Sequence, residues 1–256
     1  MEKALIVIDI GNTTISIGTF VGEQLSVRKL DTKPFKSSSG YLEILRENVV
    51  DKGLKGVVIS SVAPGLTPVM AGAAEGLLGR PPLIVGPGVE TGLKFDVPVP
   101  EELGADRISA CAGAVGQYLP PLAVLDFGTA TTVNIVGRGN VYRGGAILPG
   151  LGLMRDVLHE RTAKLPRIEI PGPGAEGARV VGKDTAGSML SGLLFGSAGA
   201  VERIISGAED AEGETYKVVV TGGYASAVLP YLRRDYFFEP RLVLKGMKFI
   251  FERAYA

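Results

Sequence analysis

Apolar residues arrive in short blocks that break at glycine, proline or polar positions, and their spacing alternates between two periods along the chain. Ala4 to Ile8 is a continuous apolar run, and Ile15 to Phe20 and Leu25 to Leu30 follow it across the turn Val21-Gly22-Glu23-Gln24. These blocks predict a meander of three strands. After a polar, serine-rich connection from Pro34 to Gly40, the segment from Tyr41 to Lys52 places Leu42, Leu45, Val49 and Val50 on one helix face. Gly56 to Val62 reads as a buried strand that ends in the hydroxyl residues Ser60 and Ser61. Leu66 to Leu78 reads as a helix, and Pro81 to Val85 opens another strand. Gly86 to Glu102 holds Pro87, Pro98 and Pro100, which predicts an irregular loop leading to a helix from Leu103 to about Tyr118.

The same alternation then recurs. Leu122 to Leu125 and Val133 to Val136 form a strand and its return, and Leu151 to Leu158 is helical. Ile168 to Gly177 is a proline- and glycine-rich loop. Thr185 to Ala208 is a long helix of small and apolar residues, and Tyr216 to Tyr224 is a strand closing on Thr221-Gly222-Gly223. Strands interleaved with helices predict an α/β architecture. The boundary between the halves is expected at 115–121, beside Pro120-Pro121, giving domains 1–118 and 119–256.

Composition narrows the class of protein. Lysine plus arginine (27) equals aspartate plus glutamate (27), which argues against a nucleic-acid partner. No segment has the unbroken apolar length of a membrane span, and the first apolar run ends at Asp9, unlike a signal peptide. The single cysteine, Cys111, excludes an intramolecular disulfide, and the single histidine, His159, excludes a His-rich metal site. A cytoplasmic protein is expected.

Two copies of one signature stand close to half a chain apart. Asp9-Ile10-Gly11-Asn12-Thr13-Thr14 follows the first strand, and Asp126-Phe127-Gly128-Thr129-Ala130-Thr131-Thr132 follows Leu122 to Leu125. Each combines a buried strand, a glycine turn carrying a carboxylate and hydroxyls, and a returning strand. Glycine lets phosphate oxygens approach backbone N–H groups, threonine adds donors, and aspartate can hold hydrated Mg²⁺. A single copy is an ordinary hairpin turn. Two copies with a distal Thr-Gly-Gly turn predict a nucleotide-phosphate clamp, as in the actin-like ATPase and sugar-kinase superfamily.

Other patterns weigh less. Gly172-Pro173-Gly174-Ala175-Glu176-Gly177 spells a dinucleotide-binding fingerprint, but its proline removes an N–H and no βαβ unit surrounds it. Gly177 to Lys183 resembles a P-loop, yet Asp184 stands where a Mg²⁺-binding hydroxyl is needed. Cys111 lies among alanines and reads as a small buried residue. His159 reads as a surface or interface residue, and Lys164 as either a phosphate contact or a solvated loop lysine. Gly104-Ala105-Asp106-Arg107 has two readings: a helix start with solvated charges, or a proton-accepting carboxylate beside a guanidinium that can fork onto a substrate carboxylate.

Six motifs together resemble the type III pantothenate kinases. They are Asp9 to Thr13, Gly104 to Ile108, Asp126 to Thr132, Gly144-Gly145-Ala146-Ile147-Leu148-Pro149-Gly150, Arg161 to Pro166, and Thr221-Gly222-Gly223, in that order. The resemblance runs from residue 4 to about 250. It implies two related actin-like (ribonuclease H-like) domains, each a mixed sheet flanked by helices. It further implies ATP-dependent phosphorylation of pantothenate to 4′-phosphopantothenate, the first step towards coenzyme A. A homodimer with active sites near its interface, Mg²⁺ with ATP, and a monovalent cation (K⁺ or NH₄⁺) are also implied.

In family terms Asp106 is the general base, and Gly104, Ala105, Asp106, Arg107 and Thr185 bind pantothenate. Asp9, Ile10, Gly11, Asn12, Thr13, Thr14 and Thr129 serve ATP; Asp126 holds the monovalent cation, and Asp9 holds Mg²⁺ directly or through water. Where many members carry a substrate-covering tyrosine this chain has Val97, with Phe95 two residues earlier as an apolar wall. The alternatives are a non-catalytic relative acting as a transcriptional accessory factor, and another small-molecule phosphotransferase on the same fold. Retention of Asp9, Asp106, Arg107 and Asp126 together favours the kinase.

Overall fold

The apolar run after the N-terminus becomes the central strand of a five-stranded sheet. A computed structural model describes residues 2–49, 53–173 and 177–255. Strands β1 (Ala4–Ile10), β2 (Thr14–Val21) and β3 (Gln24–Asp31) form the antiparallel meander. After helix α1 (Ser38–Arg46), strand β4 (Leu54–Ser61) pairs parallel to β1. Helix α2 (Thr67–Leu78) then leads to the short β5 (Leu83–Ile84), giving the order β3-β2-β1-β4-β5. A two-residue strand β6 (Lys94–Phe95) and helix α3 (Ala105–Val115) complete this part of the chain.

The two-residue period of β1 splits its side chains between two layers. Ile6, Ile8 and Ile10 pack under α1 and α2 against Tyr41, Leu45 and Met70. Leu5 and Val7 face the other way, onto Ile108 and Ala112 of α3 and onto Leu244, Met247 and Ile250. Those last three residues belong to helix α7 (Leu242–Ala254), the end of the described chain.

The second unit repeats the plan. It contains β7 (Leu122–Phe127), β8 (Ala130–Gly137), β9 (Val141–Pro149), α4 (Leu151–Glu160), α5 (Thr185–Glu212), β10 (Lys217–Thr221), α6 (Ala225–Val228) and β11 (Tyr236–Phe238). Its strands follow one another as β11-β10-β7-β8-β9, the order of the first sheet read from the other end. The core gathers Leu125, Phe127, Val133, Leu194, Val201 and Val220.

Several expectations change. Contacts divide the chain into Met1–Gln117 with Leu242–Ala256, and Tyr118–Arg241. The expected second domain, 119–256, therefore gives up its last helix, because α7 buries its apolar face on α3 and β1. Helix α1 stops at Arg46, and residues 50–52 of the expected helix lie outside the described residues. The strand expected from Pro81 shrinks to β5, since Pro81 and Pro82 have no N–H to donate. Helix α5 runs a further turn, to Glu212, and stops at Gly213.

Helices α3 and α7 approach more closely than side chains allow. A Cβ on Gly113 would stand 2.5 Å from the Leu242 carbonyl oxygen, and one on Gly246 would stand 1.8 Å from that of Ser109. Glycine at both positions is what lets the two backbones meet.

Candidate active site

In both units the signature aspartate sits one residue before the end of the central strand, beside a parallel neighbour. Such carboxyl ends are where open α/β sheets bind ligands. In the first unit Asp9 is half-buried and accepts a hydrogen bond from the Ser60 hydroxyl of β4 at 3.0 Å. Gly11, Asn12 and Thr13 form the loop between β1 and β2, closed by the Gly11 N–H donating to the Thr14 carbonyl at 3.0 Å. Asn12 and Thr13 are exposed at its tip. The Ile10 side chain is fully buried, so only its main chain faces a ligand.

The Gly104-to-Arg107 motif lies at the same end of this unit. The Val62 N–H, just past β4, donates to the Ile10 carbonyl at 3.0 Å, and a Cβ on Gly104 would touch Val62 Cγ1 at 3.4 Å. Ala105 turns its methyl into the core, whereas Asp106 and Arg107 stay half-exposed in the first turn of α3. Asp106 Oδ1 accepts the Arg107 N–H at 2.7 Å. A Cβ on Gly104 would lie 2.5 Å from that oxygen, so glycine leaves the carboxylate its space. Burial raises the Asp106 carboxyl above its ordinary range, against the lowering influence of the Arg107 N–H and guanidinium. A half-desolvated carboxylate of raised pKa is a better proton acceptor than a solvated one.

The second unit holds Asp126 and Thr129. Its signature has one residue more than the first, yet its turn is shorter. Only Gly128 and Thr129 separate β7 from β8, because the extra residue joins the strand. Asp126 lies beside Thr221 on β10, and a Cβ on Gly222 would come within 2.5 Å of Asp126 Oδ1. Gly222 has φ +107°, which only glycine adopts without strain. The same Cβ would strike the Phe127 nitrogen at 2.4 Å, so glycine is what lets this turn pack against the end of β7.

Thr185 opens α5, capped by Asp184, whose Oδ1 accepts the Gly187 N–H at 2.7 Å. It lines a cavity of about 850 Å³ with Lys183 and Ser188 at the polar end and Met154, Val157 and Leu193 on the apolar wall.

The oxygen-only donors at both turns suit hard cations. Among the described residues no group of three or more His, Cys, Asp or Glu gathers as a metal cage.

The remaining candidates fall where their surroundings suggest. Cys111 is fully buried, and burial pushes its thiol up to about 12. His159 Nδ1 lies 3.0 Å from the Leu165 carbonyl, and Lys164 is exposed. Phe95 packs against the cluster that contains Ala105. Residues 177–184 are irregular, and among the described residues no strand lies between β9 and them, so the P-loop-like string is a chance match; Gly174, Ala175 and Glu176 of the dinucleotide-like string lie outside the described residues. Two residues were not singled out: Ser60, signalled only by hydroxyls ending an apolar strand, and Thr32, which donates to the Gly11 carbonyl at 2.8 Å.

Comparisons with known proteins identify the family and the fold. A family model described as type III pantothenate kinase matches residues 5–207. A type III pantothenate kinase from Moorella thermoacetica is 38% identical over 255 residues, covering 97% of this chain and 99% of the relative. A Baf family protein from Campylobacter jejuni has a similar structure, with TM-score 0.62 and 18% identity over 96% of this chain and 97% of that one. A proposed N-acetylmannosamine kinase from Listeria monocytogenes gives TM-score 0.52 at 15% identity, covering 99% of this chain and 100% of that one. The two structures share the actin-like ATPase and sugar-kinase fold, and the chain belongs to the type III pantothenate kinase family.

Proposed function

We propose that this protein transfers the γ-phosphoryl group of ATP to the primary hydroxyl of pantothenate, giving 4′-phosphopantothenate and ADP at the start of coenzyme A biosynthesis. The observation that carries this reading is Asp106, a desolvated carboxylate of raised pKa at the start of α3, within the family's substrate motif. This carboxylate, with Oδ1 accepting the Arg107 N–H, takes the hydroxyl proton. The alcohol oxygen then bonds to phosphorus as the bond from phosphorus to the leaving ADP oxygen breaks. Arg107 supplies the positive charge for the pantothenate carboxylate, and Thr185 a hydroxyl for its polar backbone.

The Gly11-to-Thr14 turn cradles ATP phosphates with N–H groups and hydroxyls, and Thr129 offers a further hydroxyl to ATP. Mg²⁺ near Asp9 and a monovalent cation at Asp126 neutralise phosphate charge when bound.

A homodimer is supported by exposed Leu153, Val157, Val180 and Val181 on the unit that carries the Thr185 cavity. We place the protein in the cytoplasm with the other users of ATP; among the described residues no helix is long and apolar enough to cross a membrane. The deciding experiment is ATP-dependent formation of phosphopantothenate by the purified protein in K⁺, NH₄⁺ and Na⁺. No product in any of them would refute the reading.

A further inference from the structure

The chain beyond β3 is tied to the Gly11 loop by one residue. The Thr32 N–H donates to the Thr13 carbonyl at 3.0 Å, and its hydroxyl donates to the Gly11 carbonyl at 2.8 Å. Thr32 is 2% exposed, so both bonds are made from a buried anchor that grips the loop near each end. Asp31, the last residue of β3, and Lys33 flank this anchor at the loop. There they line, with Asn12 and Thr13, a cavity of about 290 Å³. Among the described residues Lys33 has no ion-pair partner, and Asp31 on the same rim does not engage it.

Asn12 and Thr13 bring only neutral donors to this cavity. A polyphosphate placed on the loop would present several negative charges to it. An ammonium is a compact point charge with three donors, suited to phosphate oxygens. We propose that Lys33 contacts the phosphate chain of a nucleotide bound at the Gly11-to-Thr14 turn, and that Thr32 positions it there. The inference rests on the reading of that turn as the ATP-phosphate site. An exposed lysine is ordinarily a solvated one. What distinguishes Lys33 is the paired hydrogen bonding that fixes its neighbour to the loop, and the cavity it shares with the loop tip.

The test is calorimetric titration of Lys33→Met, Lys33→Arg and wild type with ATP and with AMP, together with steady-state kinetics. Lys33→Met is expected to weaken ATP by about tenfold, the scale of one charged hydrogen bond, while AMP affinity and the KM for pantothenate stay unchanged. Lys33→Arg should recover most of the loss. Thr32→Val, which keeps the lysine and the side-chain shape, should show part of it. Unchanged ATP affinity in Lys33→Met would overturn the proposal, and so would equal losses for ATP and AMP. Wild type that binds ATP without phosphorylating pantothenate would sink the functional reading, while the ATP-to-AMP comparison would still decide Lys33. Wild type that binds no ATP would sink both.

Discussion

Replacing Gly246 by alanine measures how firmly α3, and with it Asp106, is held. The added Cβ would lie 1.8 Å from the Ser109 carbonyl oxygen and 2.8 Å from the Gly113 nitrogen. An ordinary carbon–oxygen contact begins near 3.3 Å, so α7 has to retreat by about 1.5 Å. Both struck groups are main chain, and no rotamer change relieves them. The retreat lifts Leu244, Met247, Ile250 and Phe251 from their seat on Leu5, Val7, Val58, Ile108 and Ala112. Overpacking costs about 1–3 kcal/mol, more when backbone must move, and alanine's helix preference returns about 1 kcal/mol. With overpacking at the upper end because main chain is struck, the net loss expected is about 2 kcal/mol, which lowers the thermal midpoint by roughly 4–8 °C in a chain of this size. Gly196→Ala is the control, because Gly196 lies in α5 with nothing within 4 Å of its added Cβ. That change should stabilise by about 0.5–1 kcal/mol. Circular-dichroism melts of the two variants decide the matter. If Gly246→Ala melts with or above wild type, the close α3–α7 approach is wrong.

Asp106→Asn should cut kcat by about 10²–10⁴ while leaving ATP affinity intact; a near-normal rate would remove Asp106 as the base. Because burial raises the Asp106 pKa, the folded state holds the proton more tightly than the unfolded one. Stability from this group is therefore full below the ordinary aspartate range and falls as pH rises through the raised value. Asp106→Asn should melt higher than wild type at neutral pH and lose that advantage in acid; a lower neutral melting point contradicts the raised pKa. The activity of wild type should likewise fall on acidification at a higher pH than an ordinary aspartate would dictate. Asp126→Asn should raise the K⁺ concentration needed for half-maximal activity, and an unchanged K⁺ titration counts against Asp126 as the cation ligand. Val157, 54% exposed, should tolerate Glu in the monomer but not in an apolar interface, so light scattering of Val157→Glu should report monomers; persistence of the dimer would place the interface elsewhere.

The strands β1 and β7 and their turns were legible because both are apolar almost throughout and end in the same aspartate-glycine pattern, whereas β9, with its glycines, and the short β6 and β11 were not. Local chemistry sufficed for β1 and β7. The place of α7 was not legible, since its sequence is an ordinary amphipathic helix and only the small residues of α3 far upstream define its seat. Pairs such as Gly113 and Gly246 have meaning only once the two helices meet. In the site, Asp9, Asp106 and Asp126 stood out by residue type and spacing. Thr32 and Ser60 did not, because each acts through a hydrogen bond set by strand register, between residues far apart in the chain. Ile10 and Ala105 show the converse. Their motifs drew attention to them, but strand and helix periodicity sends both side chains into the core.

The return of α7 to the first unit also sets an order of events during synthesis. Every element of the second unit precedes Leu242, so that unit can be completed while the ribosome still holds the end of the chain. The first unit, begun earlier, has to wait with Leu5, Val7, Ile108 and Ala112 uncovered until the final helix emerges. A chain cut short before Leu242 would keep every residue assigned here to catalysis and still lack the support beneath Asp106. Synthesis through α7 is thus a condition for seating α3, and products cut before it carry an exposed apolar face open to proteolysis.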